Sequence, residues 1–297
     1  MKIGAVFPTC EIGIDPGAIR DFAQTAEGLG YGHIVTYDHV LGAEHANREP
    51  ALTGPYVETD PFHEPFVLFG YLAALTRKIE LATGVIILPQ RQAALVAKQA
   101  AELQVLSEGR LRLGVGTGWN WVEYEALGVP FAGRGARMEE QVEVMRTLWG
   151  GGTPSFDGKF HAFERAGILP VPEKTVPVWF GGFSPPAIRR AARIGDGFLF
   201  GAFGAPMQKL CEMLWAEVEA AGRKRSEVGV EAIIHYSEGP DQWRAAAEAW
   251  KALGATHFSM RAMDTGVKLT GEKPAGFTTP QQHIDALRDF IEVVGDV

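Results

Sequence analysis

The feature of this chain that most restricts its fold is a regular alternation of short apolar runs with longer segments of helical periodicity. Eight runs rich in β-branched or apolar residues are each followed by one such segment. The predicted strands are Ile3–Phe7, His33–Thr36, Ile79–Leu88, Leu111–Val115, Val178–Phe180, Phe198–Phe200, Val228–His235 and His257–Met260. Because strands that alternate with helices form right-handed βαβ crossovers, this pattern predicts a parallel sheet whose strands are apolar on both faces.

Eight βα units along 297 residues predict an α/β fold of the closed (β/α)8 barrel type rather than a doubly wound open sheet. Two interruptions are longer than ordinary barrel loops. Residues 41–63 are polar and rich in proline and glycine, and residues 150–177 contain Ser155–Phe160, which predicts a small hairpin. Since no second core is visible, we expect one domain over residues 1–297, with both insertions serving as binding segments or lids.

Charge and cysteine content exclude several classes of partner. Lysine and arginine number 28 against 36 aspartate and glutamate, a net charge of −8, which argues against non-specific binding of nucleic acid or anionic membranes. Cys10 and Cys211 form no CxxC motif, so we expect free thiols in a reducing cytosol. No secretory leader is recognisable, and no uncharged stretch reaches the roughly 20 residues of a membrane helix. The sequence therefore predicts a cytoplasmic globular protein.

Glycines follow several predicted strands, at the barrel end where active sites lie. They are Gly84, Gly116, Gly181, Gly182 and Gly201. Because glycine has no Cβ, the backbone at these positions can approach a flat or phosphorylated ligand.

The glycine pair Gly181-Gly182 precedes a predicted helix with Ser184 as its N-cap and Pro185 in its first turn. A helix N-terminus with free N–H groups is an anion site, and Arg189, Arg190 and Arg193 add positive charge. The alternative is an ordinary βα turn that begins a helix with a solvated, arginine-rich face.

Polar side chains at the strand ends supply candidate acids and bases. Asp38-His39 follows the second strand, and Glu11 follows the first. A histidine can donate or accept a proton near neutral pH. Asn120 lies between Trp119 and Trp121, whose rings serve either helix packing or stacking on an aromatic ligand.

Other chemistries find little support. The sequence contains no HxH or HExxH metal motif and no Gly-x-Ser-x-Gly elbow, so a metal-dependent barrel hydrolase is a distant alternative. The run Gly114–Gly118 is similar to a dinucleotide fingerprint, but Trp119 occupies the position of the third glycine.

Several segments in this order resemble the bacterial luciferase-like superfamily, and within it the branch of predicted oxidoreductases dependent on coenzyme F-420 (F420). The segments are Asp38-His39, Thr83-Gly84-Val85, Leu106–Trp119, Gly128–Phe131, Arg134-Gly135 and the Gly181–Gly197 block. The resemblance implies a TIM-like barrel with an insertion that binds FMN or F420, a 5-deazaflavin, at the carboxyl ends of its strands. It also implies that Asp38 and His39 lie beside the ring and that Gly84-Val85, often a cis peptide, backs it.

The remaining cofactor contacts are assigned in the same way. The resemblance implies that Gly116, Thr117 and Asn120 contact the ring and the ribityl chain and that Gly181 and Gly182 contact the phosphate. Gly201, at the end of the sixth predicted strand, is a further candidate for cofactor binding.

The resemblance favours F420 and reversible hydride transfer to or from a small organic substrate. His39 is then the acid/base group beside Asp38, Glu11 is a second acid, and residues 41–63 close over the substrate. The first alternative is an FMN-dependent, luciferase-type monooxygenase that uses O2 and reduced flavin, and the second is a non-catalytic flavin-binding barrel. A homodimer and a flavin or F420 reductase are the candidate protein partners.

Overall fold

The computed structural model describes residues 1–267 and 271–297. The strands are β1 (Lys2–Val6), β2 (His33–Thr36), β3 (Glu80–Thr83), β4 (Ile86–Ile87), β5 (Leu111–Gly116), β6 (Phe156–Asp157), β7 (Ala162–Phe163), β8 (Val178–Gly181), β9 (Gly197–Phe200), β10 (Gly229–His235) and β11 (His257–Arg261). The helices are α1 (Pro16–Gly28), α2 (Pro65–Leu75), α3 (Ala93–Leu106), α4 (Trp121–Ala126), α5 (Arg134–Trp149), α6 (Pro185–Ile194), α7 (Ala205–Ala220), α8 (Pro240–Ala252) and α9 (Pro280–Val294).

Eight parallel strands close into a barrel. The order around it is β1-β2-β3-β5-β8-β9-β10-β11, and β11 pairs with β1. The short β4 continues the third barrel strand beyond Gly84-Val85 and also pairs with β5. The predicted (β/α)8 barrel is confirmed, and each of the eight predicted runs contributes one barrel strand.

The insertion at residues 150–177 contains the antiparallel pair β6–β7 and, in the described chain, no barrel strand. The predicted hairpin is therefore confirmed, although its second strand, Ala162–Phe163, lies just beyond the predicted segment. The Glu140 carboxylate of α5 accepts hydrogen bonds from the N–H groups of Lys159, Phe160 and His161, which fixes the turn. Consequently Gly181-Gly182 follows the fifth barrel strand.

Helix α4 and the first turn of α5 were not predicted from the sequence. Asn120 caps the six-residue α4, and one and a half turns are too short to produce a recognisable period. Helix α5 begins at Arg134. No helix in the described ranges is long and apolar enough to cross a membrane.

The barrel interior is more polar than the prediction of strands apolar on both faces. At its base Arg112, His33 and Glu231 are almost fully buried, with Arg112 Nη1 2.6 Å and His33 Nε2 2.8 Å from Glu231. Above them lies an apolar layer of Val6, Val35, Ala82, Leu199 and Ile233. Alternate residues of every barrel strand point inward, and the inward residues at the base include charged groups paired with one another. A cavity lies beyond this apolar layer, toward the carboxyl ends of the strands.

Candidate active site

A cavity of about 720 Å³ lies at the carboxyl ends of the barrel strands. Nine of the 11 predicted site residues line it. They are Asp38, His39, Gly84, Val85, Gly116, Thr117, Gly181, Gly182 and Gly201. Glu11 and Asn120 are not among its lining residues. The barrel thus brings together residues from five strand ends that are far apart in the sequence.

Val85 lies on the cavity floor, immediately after a cis Gly84–Val85 peptide such as the family resemblance implies. A Cβ on Gly116 would lie 2.4 Å from Val85 Cγ2, and a Cβ on Gly181 would lie 2.8 Å from Val85 Cγ1. Both distances are far below an ordinary carbon contact. These two glycines therefore make room for the Val85 side chain, whereas the sequence suggested only that they make room for a ligand.

Asp38 orders the backbone beside the cavity. One carboxylate oxygen accepts the Ile87 N–H at 2.9 Å, and the other lies 2.6 Å from Arg91 Nη2. Burial raises the pKa of the Asp38 carboxyl, and the Arg91 charge opposes that shift. Both carboxylate oxygens therefore have protein partners, and through them Asp38 holds β4 and Arg91 in place.

His39 is hydrogen-bonded to a carboxylate that the sequence did not single out. Its Nδ1 lies 3.2 Å from Glu123 Oε2, and both side chains are buried. The other Glu123 oxygen accepts the N–H groups of Val40 and Leu41. His39 Nε2 has no partner among the described residues, so it is the ring nitrogen available to a ligand in the cavity.

Three aromatic rings surround the His39 imidazole. The ring centroids of Tyr56, Phe62 and Trp119 lie 5.1, 4.9 and 5.5 Å from that of His39. Tyr56 and Phe62 belong to the insertion at residues 41–63, and Trp119 follows β5. The rings fix the plane of the imidazole and keep bulk water from it.

Glu123 was not predicted as a site residue, because its spacing from Asn120 suggests a role in capping a helix. The spacing Asn120-x-x-Glu123 is typical of a capping box, in which the glutamate reaches back to the N-cap N–H. Asn120 does cap α4, its Oδ1 accepting the Glu123 N–H at 3.3 Å, but the Glu123 carboxylate turns to His39 instead. Asn120 is thereby engaged at the helix start and is not a cavity-lining residue, and its expected contact with a ring or ribityl chain stays a prediction.

Glu11, the expected second acid, binds protein instead of facing the cavity. Its Oε1 accepts hydrogen bonds from the Thr265 N–H and hydroxyl, both at 2.7 Å. Its Oε2 lies 3.8 Å from His283 Nε2, and burial lowers the pKa of that imidazole. Thr265 lines the cavity, so Glu11 acts on the site by anchoring this wall.

Unpaired backbone donors follow β8. In the described chain the N–H groups of Gly182, Phe183 and Ser184 have no hydrogen-bond partner. The next residues are Pro185 and Pro186, which have no N–H, so the donors come from the loop and not from the helix as predicted. Ser184 is the N-cap, but its hydroxyl makes no cap hydrogen bond. The result is a cluster of free donors at the cavity edge, suited to an anion.

The arginines that line the cavity beside residues 182–184 differ from those predicted from the sequence. Of the three arginines on α6, only Arg190 lines the cavity, and Arg190 and Arg193 both bind Glu139, at 2.8 and 2.7 Å. Arg189 is exposed and outside the cavity wall. Arg134, at the start of α5, also lines the cavity, and its Nε is buried without a partner.

The insertion at residues 41–63 forms part of the opposite wall, through Thr53, Gly54, Pro55 and Tyr56. Gly54 lies against the face of Trp119, where a Cβ would approach the ring to 2.3 Å. Tyr37 and Arg261 complete this wall. Burial raises the pKa of Tyr37, so the phenol stays protonated and acts as a hydrogen-bonding group.

Comparisons with known proteins place the chain in a family and give several similar proteins. The model of the luciferase-like monooxygenase family matches residues 1–296. An uncharacterized protein of Mycobacterium tuberculosis is 38% identical over 184 residues, which cover 60% of this chain and 63% of that protein's own length. An F420-dependent glucose-6-phosphate dehydrogenase of Nocardia farcinica is 33% identical over 254 residues, which cover 81% of this chain and 71% of the relative.

Two solved structures share the fold over nearly the whole chain. One is the monooxygenase RslO1 from Streptomyces bottropensis, with a TM-score of 0.75 at 19% identity, covering 99% of this chain and 98% of that one. The other is an F420-dependent secondary alcohol dehydrogenase in complex with an F420-acetone adduct, with a TM-score of 0.74, the same identity and the same coverage.

Proposed function

This chain belongs to the luciferase-like monooxygenase family of enzymes, and from that premise we propose that it is an oxidoreductase that uses coenzyme F420. The reaction is hydride transfer to or from a small organic substrate. Curated relatives that match more than four-fifths of this chain are named F420-dependent dehydrogenases, which supports this cofactor over FMN.

The cavity fits such a cofactor by three observations. Its volume of about 720 Å³ is within the range of small-molecule sites. Its floor offers the apolar side chain of Val85, which Gly116 and Gly181 accommodate, to the face of a flat ring. At one end the free N–H groups of residues 182–184 and the unpartnered Arg134 Nε are suited to a phosphate. This cluster of free donors is the observation that carries the proposal.

Bound F420 would supply a ring carbon that gives or takes a hydride without oxygen. The chain itself then has two tasks. His39 Nε2 exchanges a proton with the substrate oxygen, because Nδ1 is engaged by Glu123. Tyr56, Phe62 and Trp119 exclude water around that nitrogen, which strengthens every polar contact there. A secondary alcohol or a carbonyl compound is the substrate class that such a proton exchange serves.

The test is a titration of the purified protein with F420 and with FMN, followed by fluorescence and calorimetry. We expect F420 to bind, and Ser184→Ala and Arg134→Met each to weaken binding about tenfold, the value of one lost polar contact to a charged group. Ser226→Ala, at an exposed serine away from the cavity, is the matched control. If neither cofactor binds, the proposal is wrong.

FMN carries a similar tricyclic ring and phosphate, so the same residues also suit an FMN-dependent monooxygenase, which would need a reductase partner and O2. Turnover under strictly anaerobic conditions separates the two functions, since only hydride transfer continues without oxygen. A non-catalytic flavin-binding barrel would bind cofactor that no substrate reduces or oxidises.

A further inference from the structure

The His39–Glu123 pair carries one further inference, which rests on the proposed role of His39 as the proton-exchanging group. We propose that Glu123 is a positioning residue that holds the neutral His39 imidazole in the Nδ1–H tautomer. In that form the lone pair of Nε2 is presented to the cavity. Glu123 is 84 residues from His39 in the sequence, and its buried carboxylate has no place among the cavity-lining groups.

The hydrogen-bond inventory around Glu123 leads to this assignment. Oε1 faces two backbone donors, the N–H groups of Val40 and Leu41, so this oxygen acts as an acceptor. Oε2 is the oxygen that faces His39 Nδ1, at 3.2 Å. A carboxylate only accepts, and a neutral imidazole has one donor nitrogen and one acceptor nitrogen. The proton of neutral His39 therefore lies on Nδ1.

The surroundings leave the ring no equivalent alternative. The His39 and Glu123 side chains are 7% and 1% exposed, and Tyr56, Phe62 and Trp119 contact the ring. A flipped ring would place a C–H group against the buried carboxylate and leave its oxygen without a donor, which is costly in a buried position. The neighbouring Asp38 is paired with Arg91. Glu123 is therefore the charged group that engages the imidazole directly.

The same carboxylate joins the histidine to the insertion that covers it. Val40 and Leu41 lie where this insertion begins, and Tyr56 and Phe62, further along it, pack against the His39 ring. One buried side chain thus fixes both the tautomer and the start of the covering segment. The loss of this carboxylate is expected to change the chemical step more than the binding of the cofactor, because the free donors suited to a phosphate lie in the loop between β8 and α6.

The direct test is the tautomeric state of His39 in protein labelled with 15N-histidine, measured without cofactor at a pH where the imidazole is neutral. Long-range proton–nitrogen correlation distinguishes a pyrrole-type nitrogen from a pyridine-type nitrogen. His39→Gln identifies the His39 signals among the eight histidines. The wild type is expected to show Nδ1 as the protonated nitrogen, and finding Nε2 protonated would overturn the proposal.

Glu123→Gln is the isosteric perturbation. Its carbonyl oxygen is expected to stay on the Val40 N–H, which turns the amide NH2 toward His39 Nδ1. Nδ1 must then accept, and the proton moves to Nε2, so the variant is expected to show the opposite tautomer. Glu125→Gln, at an exposed position on the same helix, is the matched control and is expected to leave the tautomer unchanged. An unchanged tautomer in folded Glu123→Gln would refute the proposal, and should that variant not fold, the wild-type measurement decides.

With F420 bound, Glu123→Gln is expected to lower kcat by about 100-fold, the lower range for loss of a positioned acid–base group, with KM little changed. If KM rises by the same factor as kcat falls, or if weaker cofactor binding explains the whole loss of activity, the role of Glu123 is merely structural. The two proposals fail separately. If neither cofactor binds but the tautomer is as expected, only the proposed function falls; if F420 binds and the tautomer is Nε2–H, only the role of Glu123 falls.

Discussion

Replacement of Gly116 by alanine tests why glycine stands at the end of β5. An alanine Cβ would lie 2.4 Å from Val85 Cγ2, against an ordinary carbon contact of about 3.5–4.0 Å. The Val85 side chain or the backbone at position 116 must therefore move by more than about 1 Å. Valine is stiff about χ1, and its other methyl group already faces Gly181, so rotation gives little relief. We expect Gly116→Ala to lower the free energy of unfolding by about 1–3 kcal/mol, the usual cost of an overpacked site.

The second half of this prediction is a double-mutant cycle with Val85→Ala. Removing both Val85 methyl groups costs about 1.6 kcal/mol of buried apolar surface by itself, less where the side chain is partly exposed. It also opens the space that the alanine at position 116 needs. The double variant is therefore expected to be more stable than the sum of the single effects by about 1–3 kcal/mol.

The measurement is urea unfolding of the cofactor-free protein, followed by circular dichroism. Gly70→Ala is the control, because Gly70 lies in α2 with no atom within 4 Å of its added Cβ, so it is expected to be neutral or stabilising by up to about 1 kcal/mol. If Gly116→Ala leaves the stability unchanged and only abolishes cofactor binding, the glycine serves the ligand and the packing argument is wrong. Additive effects of the two substitutions would refute it as well.

Three further predictions concern the barrel base and the donor cluster. Glu231→Gln is expected to lower the free energy of unfolding by about 3–5 kcal/mol, because it leaves the buried Arg112 with only the part-exposed Glu80 as a charged partner. Glu80→Gln should lower it far less, and equal losses for the two variants in urea unfolding would contradict this prediction. Burial lowers the pKa of His257 to about 2, so as pH falls below about 6.5 the unfolded chain binds a proton that the folded chain does not, and stability is lost. His257→Asn should reduce the slope of the unfolding free energy against pH by up to about 1.4 kcal/mol per pH unit, and an unchanged slope between pH 6 and 5 would refute this prediction. Ser184→Ala should change the unfolding free energy by less than about 0.5 kcal/mol because its hydroxyl caps nothing, and a loss of about 1 kcal/mol would show that it does.

The order of strands and helices could be predicted from the sequence because it is a local property. The barrel strands are short runs of mainly apolar residues, and most of the longer helices follow them as separate segments of helical length. The glycines after the strands and the Asp38-His39 pair also stand out, since strand ends converge at one face of a barrel. Nine predicted site residues therefore line one cavity. The short helix α4 was missed because its six residues are too few to show a period.

The roles of individual side chains depended on contacts between distant segments. Glu123 reaches His39 across 84 residues, Glu11 reaches Thr265 across 254, and Val85 needs glycines at positions 116 and 181. The charged base of the barrel arises in the same way, from Arg112 and Glu231 on separate strands. Periodicity shows which face of a strand is inward, but barrel closure and register decide which inward residues meet. For that reason the sequence predicted a glycine-lined site. Only the folded barrel decided that the Glu123 carboxylate contacts His39 and that the Glu11 carboxylate binds Thr265 in the cavity wall.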